Sequence, residues 1–333
     1  MISPATIVRD ALWFAHRYDP GHDAFQFRAL SRDAHRAATF LTDEYLGPAA
    51  VTAVRRSDVE ALAPLSAPLH FIFHSAFCCS TVLARAFDAP GVAMGLKEPV
   101  LLNDLVGWQH RGGTAAAIAP VLDAGLMLLA RPFAPGEAVV IKPSNVTNGL
   151  APGMMMMRPE ARALLLYAPL RVYLTSVARK GMTGRLWSRD LLVKQLREGL
   201  HPFGFTGEDY LGQTDLQVAA MGWLAQHALF AKMAAQFGDR VRTADSERLM
   251  AAPVAAMTRL GTLFGVALDA ATIVAGSAFT RHSKSGGDFG QAQRVDEQVA
   301  GAGAHADEIE KVAIWAEAVA ASAGVPLVLP VPL

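Results

Sequence analysis

Residues 69–88 constrain the fold more than any other stretch, because a short apolar run breaks into small residues and at once takes up helical periodicity. Leu69, Phe71 and Phe73 have the bulk of a buried strand. Val82, Leu83, Ala86 and Phe87 recur at helical spacing, which makes Ser75 to Cys79 the turn between the two. Ser80 and Thr81 then fall in the first helical turn, where unpaired N–H groups and the positive end of the helix dipole favour an anion such as phosphate. Residues 74–81 contain no glycine, lysine or arginine, so small side chains must stand in for the glycines of a P-loop. On this stretch alone, a buried strand and a serine-capped helix without a ligand fit as well.

At 333 residues the chain has room for one large or two modest domains. Hydrophobic residues make up 52% and charged residues 18%, with 30 basic side chains against 30 acidic. That balance argues for a globular protein and against a broad nucleic-acid surface. Cys78 and Cys79, the only cysteines, are adjacent; they cannot staple distant segments and lack metal-ligand spacing, which suits a reducing cytoplasm. Residues 1–20 carry Arg9, Asp10, Arg17 and Asp19, unlike the apolar core of a secretory signal. Thr114 to Ala130, the most apolar long segment, contains Pro120 and Asp123 and falls short of a membrane span. Stable membrane insertion is therefore not expected.

In chain order, helical spacing predicts three pieces before the turn, Ala5 to Arg17, Asp23 to Tyr45 and Val51 to Leu62, so residues 1–66 read as a helical preface packed on the core. Residues 67–333 read as one continuous α/β domain. After the first strand come Gly91 to Lys97, Glu137 to Lys142, Arg162 to Ala168 and Arg240 to Ala244, each followed by helical periodicity. Strands separated by helices imply three α/β/α layers around a mostly parallel sheet of about five strands, with added helices in the second half. The second strand delivers Glu98 and the third Lys142 to the carboxyl edge, where open α/β sheets bind ligands. Met154 to Met157 read as core filler in preference to a lid. His201 to Gly212 is a loop long enough to cover a site. Phe279 to Arg294 holds the densest basic cluster, in which Arg281, His282 and Lys284, with Ser283 and the amides near Gly286, could close over an anion; a solvated loop is the plainer reading. His305 to Ala321 reads as a last amphipathic helix and Val325 to Leu333 as an extended tail.

This order of pieces, over roughly residues 68–295, resembles the sulfotransferase family, a branch of the P-loop NTPase-like fold that transfers a sulfuryl group from 3'-phosphoadenylyl sulfate (PAPS). Phe77-Cys78-Cys79-Ser80-Thr81-Val82 stands where the family carries Arg-Ser-Gly-Thr-Thr-Leu, with Arg85 and Asp88 at similar spacing. Glu98, in Lys97-Glu98-Pro99, occupies the place of the family's acidic base. Tyr167-Ala168-Pro169 stands in for the Arg-Asp-Pro that precedes the 3'-phosphate site, with Thr175 or Ser176 as its hydroxyl and Arg171 as a substitute cation. Residues 242–253 are similar to the family's fifth strand and following helix, and Arg281 to Gly287 to its late Arg-Lys-Gly loop.

Two charges of the pattern are missing, since Phe77 and Tyr167 replace cations; each lost charge-assisted contact to phosphate costs ~1.5–3 kcal/mol. His74, Lys142, Arg171 and Lys284 are the replacements at hand. The resemblance implies in-line transfer to the hydroxyl or amine of a small-molecule acceptor, with Glu98 as base, Lys142 or His74 neutralising the bridging oxygen, and no metal ion. Ser75, Cys78, Cys79, Ser80 and Thr81 would hold the 5'-phosphosulfate. A P-loop kinase is the rival enzyme, against which stand the missing loop lysine and metal-binding aspartate; a nucleotide- or partner-binding relative without catalysis is the third reading. Acceptor identity and oligomeric state are not written in the sequence.

Overall fold

The structure is a computed structural model that describes residues 2–333 except 63, 65, 282–286 and 288–290, with side chains left undescribed over 291–304. Its strands are β1 (Trp13–Asp19), β2 (Ala24–Ala29), β3 (Thr52–Arg55), β4 (Leu69–His74), β5 (Ala93–Lys97), β6 (Ala138–Lys142), β7 (Ala163–Tyr167) and β8 (Val241–Asp245). The last five form one parallel sheet in the order β5-β6-β4-β7-β8. Every residue of β4, β5, β6 and β7 is buried, as continuous apolar runs require when helices cover both faces. The molecule is thus an α/β fold built on a five-stranded parallel central sheet flanked by helices.

The chain starts this sheet at its centre, crosses to the far edge at β5, steps back inward to β6, then passes β4 to build β7 and β8 outward on the other side. Winding direction therefore reverses at β4, and the crevice above its carboxyl end is where doubly wound sheets take ligands. Register sets Lys97 beside Lys142 and Tyr167 beside Asp245 at that edge. Helix Ser80–Ala86 lies directly on β5, and the contact is possible because Gly95 has no side chain: a Cβ there would sit 2.0 Å from the Ala84 carbonyl oxygen. The β8 edge is covered by the tail, through Thr243 N–H to Val331 O (3.1 Å) and Leu333 N–H to Thr243 O (2.9 Å), which leaves no open strand edge there.

Residues 1–66 are not a run of helices: β1 and β2 form an antiparallel hairpin, β3 pairs with β2, and short helices (Pro4–Arg9, Arg32–Ala37, Asp43–Leu46, Arg56–Leu62) fill in between. Both faces of the hairpin are partly buried, which blurs the alternation that marks a strand. The hairpin is tied to the α/β core by Arg131, whose guanidinium donates to the carbonyls of Ile7, Val8, Asp10 (2.9, 2.9 and 3.0 Å) and Trp13 (2.6 Å). Arg17 likewise grips Asp104 on helix Val100–His110 at 2.8 and 2.7 Å.

Met154 and Met155 are buried in the core, on helix Ala151–Met157. Residues 201–212 include a short helix, Gly207–Leu211, closed by a Thr206–Asp209 capping box. The last helix, Gln291–Ala323, breaks at His305. Among the described residues no helix is long and apolar enough to cross a membrane.

Candidate active site

Three neighbouring strands end on ionisable side chains that meet. Lys142, from β6, is 1% exposed, and its ammonium donates to the Glu98 carboxylate that follows β5. The Glu98 side chain is 17% exposed and is the member of the pair that solvent reaches. Glu98 holds φ at +53° while its N–H bonds the Lys142 carbonyl at 2.7 Å, so a left-handed backbone step aims this carboxylate at the edge of the sheet. The Lys142 ammonium also lies 5.0 Å over the Phe40 ring. Its observed partners are thus Glu98 and an aromatic face, and its burial turns it away from solvent and towards fixing the position of the Glu98 carboxylate.

His74, at the end of β4, lies 4.0 Å from the same Glu98 oxygen. Its Nδ1 accepts the Ala76 N–H (3.1 Å), so the proton sits on Nε2, which donates to the Pro143 carbonyl (3.1 Å). Burial, then the charge of Lys142, hold this imidazole well below its usual pKa. It is neutral with both nitrogens engaged, and it braces the turn in place of the charge-neutralising role expected of it.

The turn itself is strained. Ala76, Phe77 and Cys79 all have positive φ, at 73°, 51° and 60°, a conformation that costs ~1–3 kcal/mol per non-glycine residue and persists only where its surroundings enforce it. Part of that enforcement is a buried amide network missed in the sequence: Asn148 Nδ2 donates to the His74 carbonyl (3.0 Å) and to Gln226 Oε1 (2.9 Å), and Gln226 Nε2 reaches the Ser75 carbonyl (3.4 Å). A lone glutamine in the apolar stretch of helix Asp215–Phe237 was the available signal.

The side chains assigned to the cofactor fare unevenly. Ser75 is buried, with its Oγ accepting the Ala168 N–H (3.2 Å), and Cys78 is in the core; neither side chain faces a ligand. Ser80 and Thr81 do open helix Ser80–Ala86, and Cys79 and Thr81 are half-buried at its start. On one flank Phe77 packs against Tyr173 and Trp187 (5.6 and 5.2 Å between centroids), and the Lys180 ammonium lies 5.7 Å over its ring. Sequence reasoning did not single out Lys180, since only the fold brings it to position 77. On the other flank Arg85 donates to the Arg281 and Ser277 carbonyls (2.9 and 3.0 Å), which sets exposed Arg281 beside the turn helix. His282, Ser283, Lys284 and Gly286 lie outside the described residues.

Arg171 is not the substitute cation. It forms a bidentate pair with Glu310 (both 2.8 Å) and a further bond to Glu317 (2.6 Å), docking the last helix on helix Leu170–Arg179. Thr175 and Ser176 donate to the carbonyls of Arg171 and Val172, four residues back in the same helix, at 2.8 and 2.9 Å. Tyr167 is buried against His227. Any nucleotide held at the carboxyl edge of the sheet is therefore expected to bind Arg171→Met within twofold of the parent by titration calorimetry; a tenfold loss would give Arg171 a part in anion binding.

A separate hollow of about 330 Å³ among the N-terminal strands is lined by His16, Arg17, Tyr18 and Asp43. Its charged groups satisfy one another, as in His16 Nε2 to Asp43 at 2.6 Å, and it is assigned no chemistry.

No protein-family model and no curated protein matches the chain. Among solved structures it is similar to the sulfotransferase domain of the curacin biosynthetic pathway, at 14% identity over 67% of this chain and 81% of that one (TM-score 0.41). It is also similar to the sulfotransferase domain of the Synechococcus PCC 7002 olefin synthase, at 14% identity over 66% and 81% (TM-score 0.43). A third is sulfotransferase STF9 from Mycobacterium avium, at 12% identity over 76% and 78% (TM-score 0.42).

Proposed function

We propose that the chain is a sulfotransferase-like enzyme that moves a sulfuryl group from PAPS to a hydroxyl or amine of a small molecule. The observation that carries this reading is the Glu98–Lys142 pair at the carboxyl ends of adjacent strands, beside the strained turn at the switch point of the sheet. In this reading Glu98 takes the acceptor's proton as the acceptor oxygen or nitrogen bonds to sulfur. The bond from sulfur to the bridging phosphate oxygen breaks, and 3'-phosphoadenosine 5'-phosphate leaves with that electron pair. Main-chain amides of the turn and the Lys180 ammonium meet the charge that develops on the leaving oxygen. Lys142 keeps the Glu98 carboxylate oriented, which such positioning-dominated transfer demands.

Thermal unfolding with added nucleotide tests the donor. A ligand at a hundred times its dissociation constant adds ~2.7 kcal/mol of stability, and 3'-phosphoadenosine 5'-phosphate is expected to produce that stabilisation without magnesium. A shift seen only with ADP and magnesium would replace the reading by a kinase, and no shift with either would remove catalysis from the nucleotide's side altogether.

A further inference from the structure

Helix Gly181–Arg197 is apolar on two opposite sides. Gly184, Ser188, Leu191 and Gln195 are buried on one, where Gln195 Nε2 donates to the Gly222 carbonyl of helix Asp215–Phe237 (3.1 Å). The other side looks out. Met182, Leu186, Val193 and Leu196 fall within an arc of about 80° at helical spacing, and all four are exposed, from 70% at Met182 to 39% at Leu196. Every other described helix shows at most one large apolar side chain so exposed. Arg189 stands in the middle of the stripe, and its charge is met within the chain by Asp215 at 2.6 Å. It also holds the Gln213 carbonyl (3.2 Å), two residues beyond the strongly exposed Leu211.

The stripe is its own complement. About a centre between Arg189 and Asp190, Met182 is matched by Leu196 and Leu186 by Val193, so a second copy running antiparallel sets each of these side chains on another apolar one. At the centre two Arg189–Asp215 pairs meet, and neither copy leaves a charge uncompensated. A parallel pair would set Arg197 level with its own copy; the antiparallel one separates the two by most of the helix. We propose that this face pairs with the same face of a second copy, as an isologous antiparallel dimer. Four stripe residues and Leu211, at roughly 100 Å² each, bury about 1,000 Å² over both copies, the lower edge of specific interfaces, so the dimer is weak and reversible. An anionic bilayer fits less well, because the arginines beside the stripe are already bonded, Arg185 to Glu308 (3.2 Å) and Arg189 to Asp215, and exposed Asp190 borders it.

Sedimentation equilibrium of the full chain tests the pairing. The mean mass of the parent should climb from one chain towards two with concentration. Leu186→Lys and Val193→Glu each set a charge against an apolar partner, and each should raise the dimer dissociation constant at least about tenfold with the thermal midpoint unchanged, since both positions are exposed. Mixed one to one, the two variants should pair again: the new ammonium then faces the new carboxylate across the two-fold axis, and the second Leu186–Val193 contact is intact. Val254→Lys, at an exposed position on helix Pro253–Phe264, should leave the parent's dimer unchanged. A parent that keeps one chain's mass up to about 100 μM, a dimer that survives both variants, or a mixture that stays monomeric overturns the proposal. Co-sedimentation of a monomeric parent with phosphatidylserine vesicles, lost in Leu186→Lys and Val193→Glu alike, would give the face to a membrane instead.

Discussion

Glu98→Gln is expected to lower sulfuryl transfer at least about a hundredfold, the usual range for removing a general base, while 3'-phosphoadenosine 5'-phosphate still binds. The same substitution carries a second effect that must be separated from the first. Lys142 is almost fully buried with Glu98 as its counter-charge, and removing one member of a buried pair costs about 3 kcal/mol because the other is left uncompensated. Glu98→Gln should therefore unfold earlier as well as turn over slowly. Combining it with Lys142→Met removes the stranded charge and fills its space with a flexible apolar chain, so stability should return while turnover does not. Measured as kcat and denaturant midpoints across the two single variants and the double, this cycle isolates chemistry from folding. Turnover restored together with stability in the double variant would show the pair to be structural and end the base assignment.

Much of the α/β core was legible because its signals are local. A parallel strand buried on both faces reads as an unbroken apolar run, and β4, β6 and β7 fall within a residue or two of Leu69 to Phe73, Glu137 to Lys142 and Arg162 to Ala168. The carboxyl edge then followed from topology, which is why Glu98 and Lys142 could be placed at one site before their contact was seen. What stayed illegible depends on partners far away in sequence. His74 becomes a brace only through Pro143, 69 residues on, and Arg171 leaves the anion site only because Glu310 and Glu317 arrive on the last helix. The hairpin failed for a different reason: with both faces partly buried, Phe14, Ala15 and His16 are consecutive buried residues, and neither a period of two nor of 3.6 stands out. The segment at residues 36–46 combines both difficulties, since it carries no motif and reaches the residues flanking Glu98 by a backbone bridge at Leu41.

Gly95→Ala is the substitution outside the charged groups from which the largest effect is expected. Gly95 sits mid-strand in β5, and an added Cβ would lie 2.0 Å from the Ala84 oxygen, 3.1 Å from its carbonyl carbon and 3.3 Å from the Asp88 nitrogen. All three are main-chain atoms, so no rotamer change relieves the clash, and helix Ser80–Ala86 must lift by about 1 Å or more to restore ordinary contact. Overpacking of this kind costs about 3 kcal/mol when the backbone has to give. The functional loss should be larger, because that helix carries Ser80 and Thr81, and a 1 Å misplacement of a positioning element is worth about a hundredfold in rate. The expected result is a folded protein with a lowered denaturant midpoint and no stabilisation by 3'-phosphoadenosine 5'-phosphate. Gly153→Ala is the control: its Cβ would meet nothing within 4 Å, so it should be neutral or stabilise helix Ala151–Met157 by up to about 1 kcal/mol. If Gly95→Ala keeps full nucleotide stabilisation despite a lowered midpoint, the seat of the helix on β5 does not set the geometry of the turn, and the anion has to be held elsewhere.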